Sequence, residues 1–167
     1  YIKRTSQVIK NSDIARDVHL KCLLNGVYNI ETGEFIDSFN PDHIILNQIP
    51  HNYNESNYDS ITKRVCEILP NEKDRQTYFD FASTCLHPHT GIDFQFGLVG
   101  IAGTGKTMLG KLLDLAFGES NVSHSSIHDI AKDPTIQQDI AYGFLNYDEE
   151  LSSSDIKFIN ILKKWIT

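Results

Sequence analysis

The segment from Gly100 to Thr107 constrains the fold of this chain more than any other. It reads GIAGTGKT, which has the GxxxxGK[ST] spacing of a phosphate-binding loop. An apolar run at 94–99 precedes it, and an apolar helical pattern begins at Met108. Strand, glycine-rich loop and helix in this order are the context that such a loop requires. A chance match to a glycine-rich turn is the alternative, and both flanks count against it.

The chemistry of this loop predicts a site for a nucleoside triphosphate and Mg²⁺. Glycines let successive backbone N–H groups approach phosphate oxygens, and the amino end of the following helix favours an anion. Lys106 is predicted to reach the β- and γ-phosphates as a catalytic cation, and Thr107 to hold Mg²⁺ through its hydroxyl. The predicted ATP-binding residues are Gly100, Ile101, Ala102, Gly103, Thr104, Gly105, Lys106, Thr107 and Met108.

Three consecutive acids supply the carboxylates that a phosphate-binding loop needs on a second strand. They follow a mostly apolar run at 140–147, which predicts a buried strand that ends at the carboxyl edge of a sheet. We assign Asp148 to Mg²⁺ and Glu149 to the attacking water, as the catalytic proton acceptor. Glu150 takes that second role if the strand register differs by one residue. A solvated acidic turn before a helix at 153–165 is the alternative.

Composition restricts the partners of the chain. It has 15 Lys and Arg against 22 Asp and Glu, a net charge of −7, and its basic residues are scattered. A surface that grips duplex DNA alone carries clustered Lys and Arg, so we expect any nucleic-acid contact to be local or inside a ring channel. Three separated cysteines predict a reducing, intracellular setting. No apolar run approaches the ~20 residues of a membrane span, so no membrane partner is expected.

Upstream of the loop, the apolar patterns predict a small helical region that contains a β-hairpin. The predicted elements are a helix at 1–24, a hairpin at 27–36, a strand at 44–50 and helices at 58–69 and 71–86. The predicted fold class is therefore α/β. A helical and hairpin region at 1–90 precedes a partial P-loop core at 91–167.

The order of several segments resembles a known family. Residues 24–34 read LNGVYNIETGE and residues 41–54 read PDHIILNQIPHNYN, and both lie before the glycine loop. An acidic segment at 145–151 and a Lys- and Trp-containing segment at 161–167 follow it. In this order the segments resemble the superfamily 3 helicase domain of virus and plasmid primase–helicases, together with the N-terminal helical and hairpin region that precedes it. The likeness covers nearly the whole chain.

That resemblance implies an AAA+-like ATPase that forms a homo-oligomeric ring, often a hexamer, and unwinds DNA in virus or plasmid replication. It also implies the cytoplasm of a host cell as the setting. It implies ATP and Mg²⁺ as cofactors, single-stranded or forked DNA as a partner, and a primase domain on the same polypeptide. In such relatives the polar sensor, the DNA-facing hairpin and the arginine finger lie beyond the position of Thr167. We therefore expect a C-terminally truncated motor that alone binds nucleotide weakly, without DNA-stimulated turnover.

Two other functions are compatible with the sequence. One is a nucleotide-dependent assembly module, in which ATP orders a subunit interface without sustained turnover. The other is a different P-loop enzyme, such as a small nucleotide kinase. A kinase needs arginines after the loop to hold its second substrate, and residues 108–167 contain none.

Overall fold

Over residues 17–55, 59–87, 96–141 and 143–149, which the computed structural model describes, the chain is a mixture of helices and two small sheets. One sheet has three antiparallel strands and the other has two parallel strands. The helices that lie between the two sheets in sequence supply most of the buried core.

A β-hairpin with one added strand forms the first sheet. Its strands are β1 (Leu20–Leu23), β2 (Gly26–Asn29) and β3 (Glu34–Ile36). They are antiparallel and lie in the order β1-β2-β3. Between β2 and β3, the Asn29 side-chain oxygen accepts hydrogen bonds from the N–H groups of Glu31 at 2.9 Å and Thr32 at 3.2 Å. The hairpin predicted within 27–36 is confirmed.

The helix predicted over residues 1–24 is wrong near its carboxyl end. Residues 20–23 form β1 instead, whereas residues 1–16 lie outside the described part of the chain. The turn after β1 folds it back onto β2, and Gly26 permits the close packing, because a Cβ there would lie 2.2 Å from the Ile36 carbonyl oxygen. Strand pairing therefore overrides the local helical pattern.

The strand predicted at 44–50 is reduced to one bridge in the described structure. Gln48 forms a parallel bridge with Cys22, and the Ile49 N–H donates to the Cys22 carbonyl at 2.8 Å. Pro50 follows, and it has no N–H with which to extend a ladder. The segment thus runs beside β1 as irregular backbone.

Two helices follow, as the sequence predicts. They are α1 (Asp59–Ile68) and α2 (Glu72–Leu86). At the start of α2, the Asn71 side-chain oxygen accepts from the Lys73 N–H at 2.8 Å, which satisfies one of the donors that a helix start leaves unpaired.

The part of the chain after the glycine loop alternates helices with two short strands. The elements are α3 (Lys106–Phe117), a 3-10 turn (Glu119–Asn121), β4 (Val122–Ser123), α4 (Ile127–Lys132), α5 (Pro134–Ala141) and β5 (Leu145–Asn146). β4 and β5 are parallel, with Val122 opposite Leu145. Parallel strands need a crossover connection, which α4 and α5 provide here.

Two strands predicted around the glycine loop differ in the structure. Over its described residues, 96–99, the run at 94–99 is not in a strand, and Val99 is 98% exposed. An apolar run forms a stable strand only beside a paired neighbour, and no described strand pairs with this one. The strand predicted at 140–147 is limited to β5, because α5 takes its first residues. The helix predicted at 153–165 lies outside the described residues.

The buried core joins helices from both parts of the chain. Val65 of α1 and Tyr78 of α2 pack with Leu109, Leu113 and Phe117, whose spacing puts them on one face of α3. The Tyr78 hydroxyl also donates to the Leu109 carbonyl at 2.8 Å. These contacts hold α3, whose amino end carries the glycine loop.

A P-loop core is not evident in the part of the chain that the structure describes, so the predicted fold class stays a prediction. The parallel pair of β4 and β5 and the helix α3 are the described elements that such a core would use. The predicted division near residue 90 also stays a prediction. Buried residues from both sides of it share one core.

Candidate functional site

Two glycines shape the loop before α3. Gly103 has φ of 82° and Gly105 has φ of 91°, backbone conformations that residues with a Cβ rarely adopt. Gly105 also lies at the N-cap of α3, where a Cβ would stand 3.0 Å from the side chain of Ile68 on α1. The turn therefore needs glycine at both positions, and close packing against α1 gives a second reason at Gly105.

Lys106 begins α3 and turns its side chain back over the loop. Its Nζ donates to the carbonyl oxygens of Gly100 at 2.8 Å and Ile101 at 2.9 Å. The Thr104 hydroxyl donates to the same Ile101 carbonyl at 2.8 Å. The ammonium group is thus held beside the loop backbone by bonds to neutral carbonyl oxygens, which negatively charged phosphate oxygens can replace with stronger ones.

The amino end of α3 is open to solvent. Every predicted ATP-binding residue except Gly105 and Lys106 is exposed, and Ile101 reaches 82%. The N–H of Leu109 donates to the Gly105 carbonyl at 3.1 Å as the helix starts. The N–H groups of residues 106–108 precede that bond, and N–H groups in this position at a helix start bind anions.

The acidic segment begins with β5, and its acids at 148–150 follow that strand after one residue, Tyr147. Because β4 and β5 are parallel, their carboxyl ends lie at the same edge of the sheet. The Asp148 carboxylate accepts from the Ile127 N–H at 3.3 Å, across this edge. Glu149 is exposed, and Glu150 lies outside the described residues. Which of the two glutamates accepts the proton therefore stays open.

Hydrogen bonds beyond the strands hold this segment in place. The Asn146 side chain accepts from the Ser125 N–H at 3.1 Å and donates to the Ser125 carbonyl at 3.0 Å. The Tyr147 N–H donates to the Ser123 carbonyl at 2.7 Å. These bonds continue the pairing of β4 with β5 and bring the segment's backbone alongside the residues after β4.

Tyr147 brings the acidic segment against α3. Its ring packs on Gly110, where a Cβ would lie 2.5 Å from the tyrosine Cζ. Gly110 comes one helical turn after the predicted Mg²⁺ residue Thr107. The other predicted Mg²⁺ residue, Asp148, is the next residue after Tyr147. The sequence analysis missed both contact residues, although an isolated glycine inside a helical pattern is itself a signal of close packing.

The surroundings of Tyr147 are acidic. Burial raises the pKa of Tyr147, and the negative charges of Glu149, Asp114 and Asp148 raise it further. His124 stands beside this cluster, with its Nε2 3.3 Å from Asp114 Oδ1. Nearby carboxylates, here from α3 and from the residues after β5, favour the charged form of a cation beside them.

The donor set is compatible with ATP and Mg²⁺. Mg²⁺ is usually held by one or two carboxylates together with substrate phosphates and water, not by a cage of protein ligands. Within the described ranges, no three His, Cys, Asp or Glu side chains form such a cage. Thr107 and Asp148 would supply two protein oxygens to the cation, while Lys106 and the exposed loop would supply positive charge and N–H donors to the phosphates.

The opposite end of α3 is held by a buried amide that the sequence analysis also missed. Asn121 is 5% exposed, and its Nδ2 donates to the carbonyls of Phe117 and Gln48, each at 2.8 Å. Its Oδ1 accepts from the Asn47 side chain at 3.1 Å. Asn47 and Asn121 are far apart in sequence, and no sequence pattern relates them.

Two further contacts reach the same end of α3 from the segment beside β1. Gly118 has φ of 88°, and a Cβ there would lie 2.5 Å from the Pro50 ring. The His51 ring makes a short hydrogen bond with the Leu115 carbonyl. Together with Asn121, these contacts cover the carboxyl end of α3.

Comparison with known families gives one match. The model of a family described as "D5 N terminal like" matches residues 2–89, which is more than half of the chain and ends before the glycine loop. That family is the N-terminal region of phage and viral primase–helicase proteins, which are associated with DNA replication. No curated protein matches the chain. Among the described helices, none is long and apolar enough to cross a membrane.

Proposed function

Because the chain belongs to the D5 N-terminal-like family of primase–helicase proteins, we propose that residues 100–149 bind and hydrolyse ATP as the motor of a superfamily 3 DNA helicase. The observation that carries this proposal is the loop at the start of α3. Its left-handed glycines and the folded-back Lys106 ammonium make an open, positively charged end for a triphosphate.

Each residue has a distinct part in the proposal. Residues 100–108 would bind the phosphates through backbone N–H groups, and Lys106 would offset the charge on the β- and γ-oxygens. Thr107 and Asp148 would orient Mg²⁺, which when bound neutralises charge on the phosphates. Glu149 would accept a proton from water. The contact of Tyr147 with Gly110 supports this division, since it joins the acidic segment to the helix that carries the loop.

The proposal for the full protein extends beyond this site. We propose that it acts on single-stranded or forked DNA as a homo-oligomeric ring, often a hexamer, in virus or plasmid replication inside a host cell. A primase domain on the same polypeptide is part of this proposal. The family match to primase–helicase proteins supports it.

Binding is tested first, with a charge-matched control. Lys106→Ala removes a charge-assisted contact worth about 1.5–3 kcal/mol, so we expect at least a tenfold loss of affinity for a fluorescent ATP analogue. Lys111→Ala removes the same charge from an exposed position on the same helix and should change affinity less than about threefold. Equal affinities for Lys106→Ala and wild type would exclude this site.

Hydrolysis is tested in the full-length protein. Glu149→Gln should bind Mg·ATP normally and hydrolyse it at least about a hundredfold more slowly, because only proton acceptance is lost. Asp148→Asn should in addition weaken Mg²⁺ binding, so that a higher Mg²⁺ concentration is needed, and Glu119→Gln, an exposed acid, is the control. If the wild-type protein binds ATP but does not hydrolyse it, with or without single-stranded DNA, that result would favour the assembly module instead.

A further inference from the structure

We propose that Gly110 and Tyr147 form a spacer that sets how closely the acidic segment approaches the amino end of α3. The inference rests on the proposed function, because its consequence is the position of Asp148 relative to Thr107. Gly110 and Tyr147 are positioning residues in it. Neither would touch the phosphates or the cation.

The first step is the reason for glycine at position 110. Glycine inside a helix costs ~1 kcal/mol relative to alanine, and Gly110 is not among the glycines with positive φ. Its backbone conformation therefore does not require it. A Cβ would lie 2.5 Å from Cζ, 2.7 Å from Cε1 and 2.8 Å from the hydroxyl oxygen of Tyr147, all closer than real contacts allow.

The second step is that Tyr147 is held on its other sides. Its N–H donates to the Ser123 carbonyl at 2.7 Å, which fixes its backbone to β4. The His124 ring meets the tyrosine ring edge-on, with centroids 5.8 Å apart and an interplanar angle of 86°. His124 is in turn 3.3 Å from Asp114 on α3. The tyrosine ring therefore contacts both α3 and His124, and its backbone is fixed to β4.

The third step follows from these contacts of Tyr147. A methyl group at position 110 has to push the ring away from α3 by about 1 Å to reach ordinary contact distance, and Asp148 is bonded to the residue that moves. A misplacement of that size at a reacting centre can cost ~10²-fold in rate, and loss of a residue that orients a metal ligand typically costs about 10–100-fold in metal affinity. The glycine loop makes its own bonds elsewhere, so its contacts with the phosphates are unaffected.

The test measures Mg²⁺ dependence, so it does not require turnover. In Gly110→Ala we expect the Mg²⁺ concentration at half-saturation of Mg·ATP binding to rise about tenfold, while affinity for metal-free ATP stays within about threefold of wild type. Gly97→Ala is the matched control, because a Cβ at Gly97 meets no atom within 4 Å. It should leave both quantities unchanged.

Compensation separates spacing from general damage. Tyr147→Leu lacks the ring atoms that the new methyl would meet. The single variant should also raise the Mg²⁺ requirement, because the spacer is lost. In that background, Gly110→Ala should have less than about a threefold further effect, whereas in wild type it has about a tenfold effect. If Gly110→Ala fails to fold by circular dichroism, the rise in Tyr147→Leu alone carries the test.

An unchanged Mg²⁺ requirement in both single variants overturns the spacer, provided that Asp148→Asn raises this requirement and Lys106→Ala weakens ATP binding at least tenfold. Equal effects of Gly110→Ala in the two backgrounds overturn it as well. Failure of the proposed function is distinguishable, since Lys106→Ala would then leave ATP binding at the wild-type level.

Discussion

The two ends of α3 differ in their exposure to solvent and in the sequence separation of their hydrogen-bond partners. At the amino end the loop is exposed, and its hydrogen bonds run between neighbours in sequence, from Lys106 and Thr104 to loop carbonyls. At the carboxyl end, Asn121 is buried and bonded to Gln48 and Asn47, which are distant in sequence. The amino end of α3 is thus accessible to a ligand, whereas the carboxyl end is fixed to the rest of the fold.

This difference explains how an open loop can stay ordered. A helix end exposed to solvent contributes little to stability, and functional segments are drawn from such regions. The family-matched part of the chain supplies the stability that the loop does not, because it contacts both the carboxyl end and the buried face of α3. Substitutions at the two ends should therefore separate stability from nucleotide binding.

The largest loss of stability should come from Asn121→Ala. It removes the bonds to Gln48 and Asn47 and leaves the carbonyl of the buried Phe117 without the donor that Asn121 supplies. We expect the free energy of unfolding to fall by about 3 kcal/mol in urea denaturation. Asn40→Ala removes an amide from an exposed turn and should cost less than about 1 kcal/mol. Equal losses in the two variants would contradict the anchoring role of the carboxyl end.

Gly118→Ala should have the next largest effect. The new methyl clashes with the Pro50 ring, and alanine is strained at the φ of 88°. We therefore expect the free energy of unfolding to fall by about 2 kcal/mol. Gly103→Ala is the control at the other end, because its φ of 82° is similar but a Cβ there meets no atom within 4 Å. Thermal and urea unfolding of both variants would isolate the contribution of the contact with Pro50. Equal losses of stability would show that this contact contributes nothing.

A third prediction concerns the middle of the helix and its pH dependence. Tyr78→Phe removes the bond to the Leu109 carbonyl and should cost about 1 kcal/mol at pH 7. Burial raises the pKa of Tyr78 to about 12. The folded state therefore keeps the phenolic proton after the unfolded chain begins to lose it near pH 10, so the stability from this group falls as pH rises from about 10 to 12.

The check is urea unfolding at several pH values. Wild type should lose stability more steeply above pH 10 than Tyr78→Phe does, because the variant has no phenol at this position. Parallel curves for the two proteins would show that this phenol does not contribute to the alkaline loss. Tyr28→Phe, in the first sheet, serves as the control.

The smallest effect on stability should come from Thr104→Ala at the amino end. Its hydroxyl bond to the Ile101 carbonyl is exposed to water, so we expect a change below about 0.5 kcal/mol in the free energy of unfolding. A loss comparable with that of Asn121→Ala would mean that the loop, like the far end of the helix, supports the fold.

Much of the local structure could be predicted from the sequence. Periodic apolar positions identified α1 and α2, and a Glu-Thr-Gly turn between apolar residues identified the hairpin. The patterns failed where pairing decides the conformation. Residues 20–23 have a helical pattern, but they form β1 because β2 lies beside them. The run at 140–147 is largely apolar, yet the structure divides it between α5 and β5.

The sequence by itself determined the glycine loop, the place of Lys106 at the start of a helix and the acids that follow β5. The physical reason is that turn geometry and helix starts depend on a few neighbouring residues. Tertiary structure alone decided that Tyr147 packs on Gly110 and that Asn121 bonds to Gln48. Contacts between residues this far apart depend on how whole elements pack, and no local pattern encodes that.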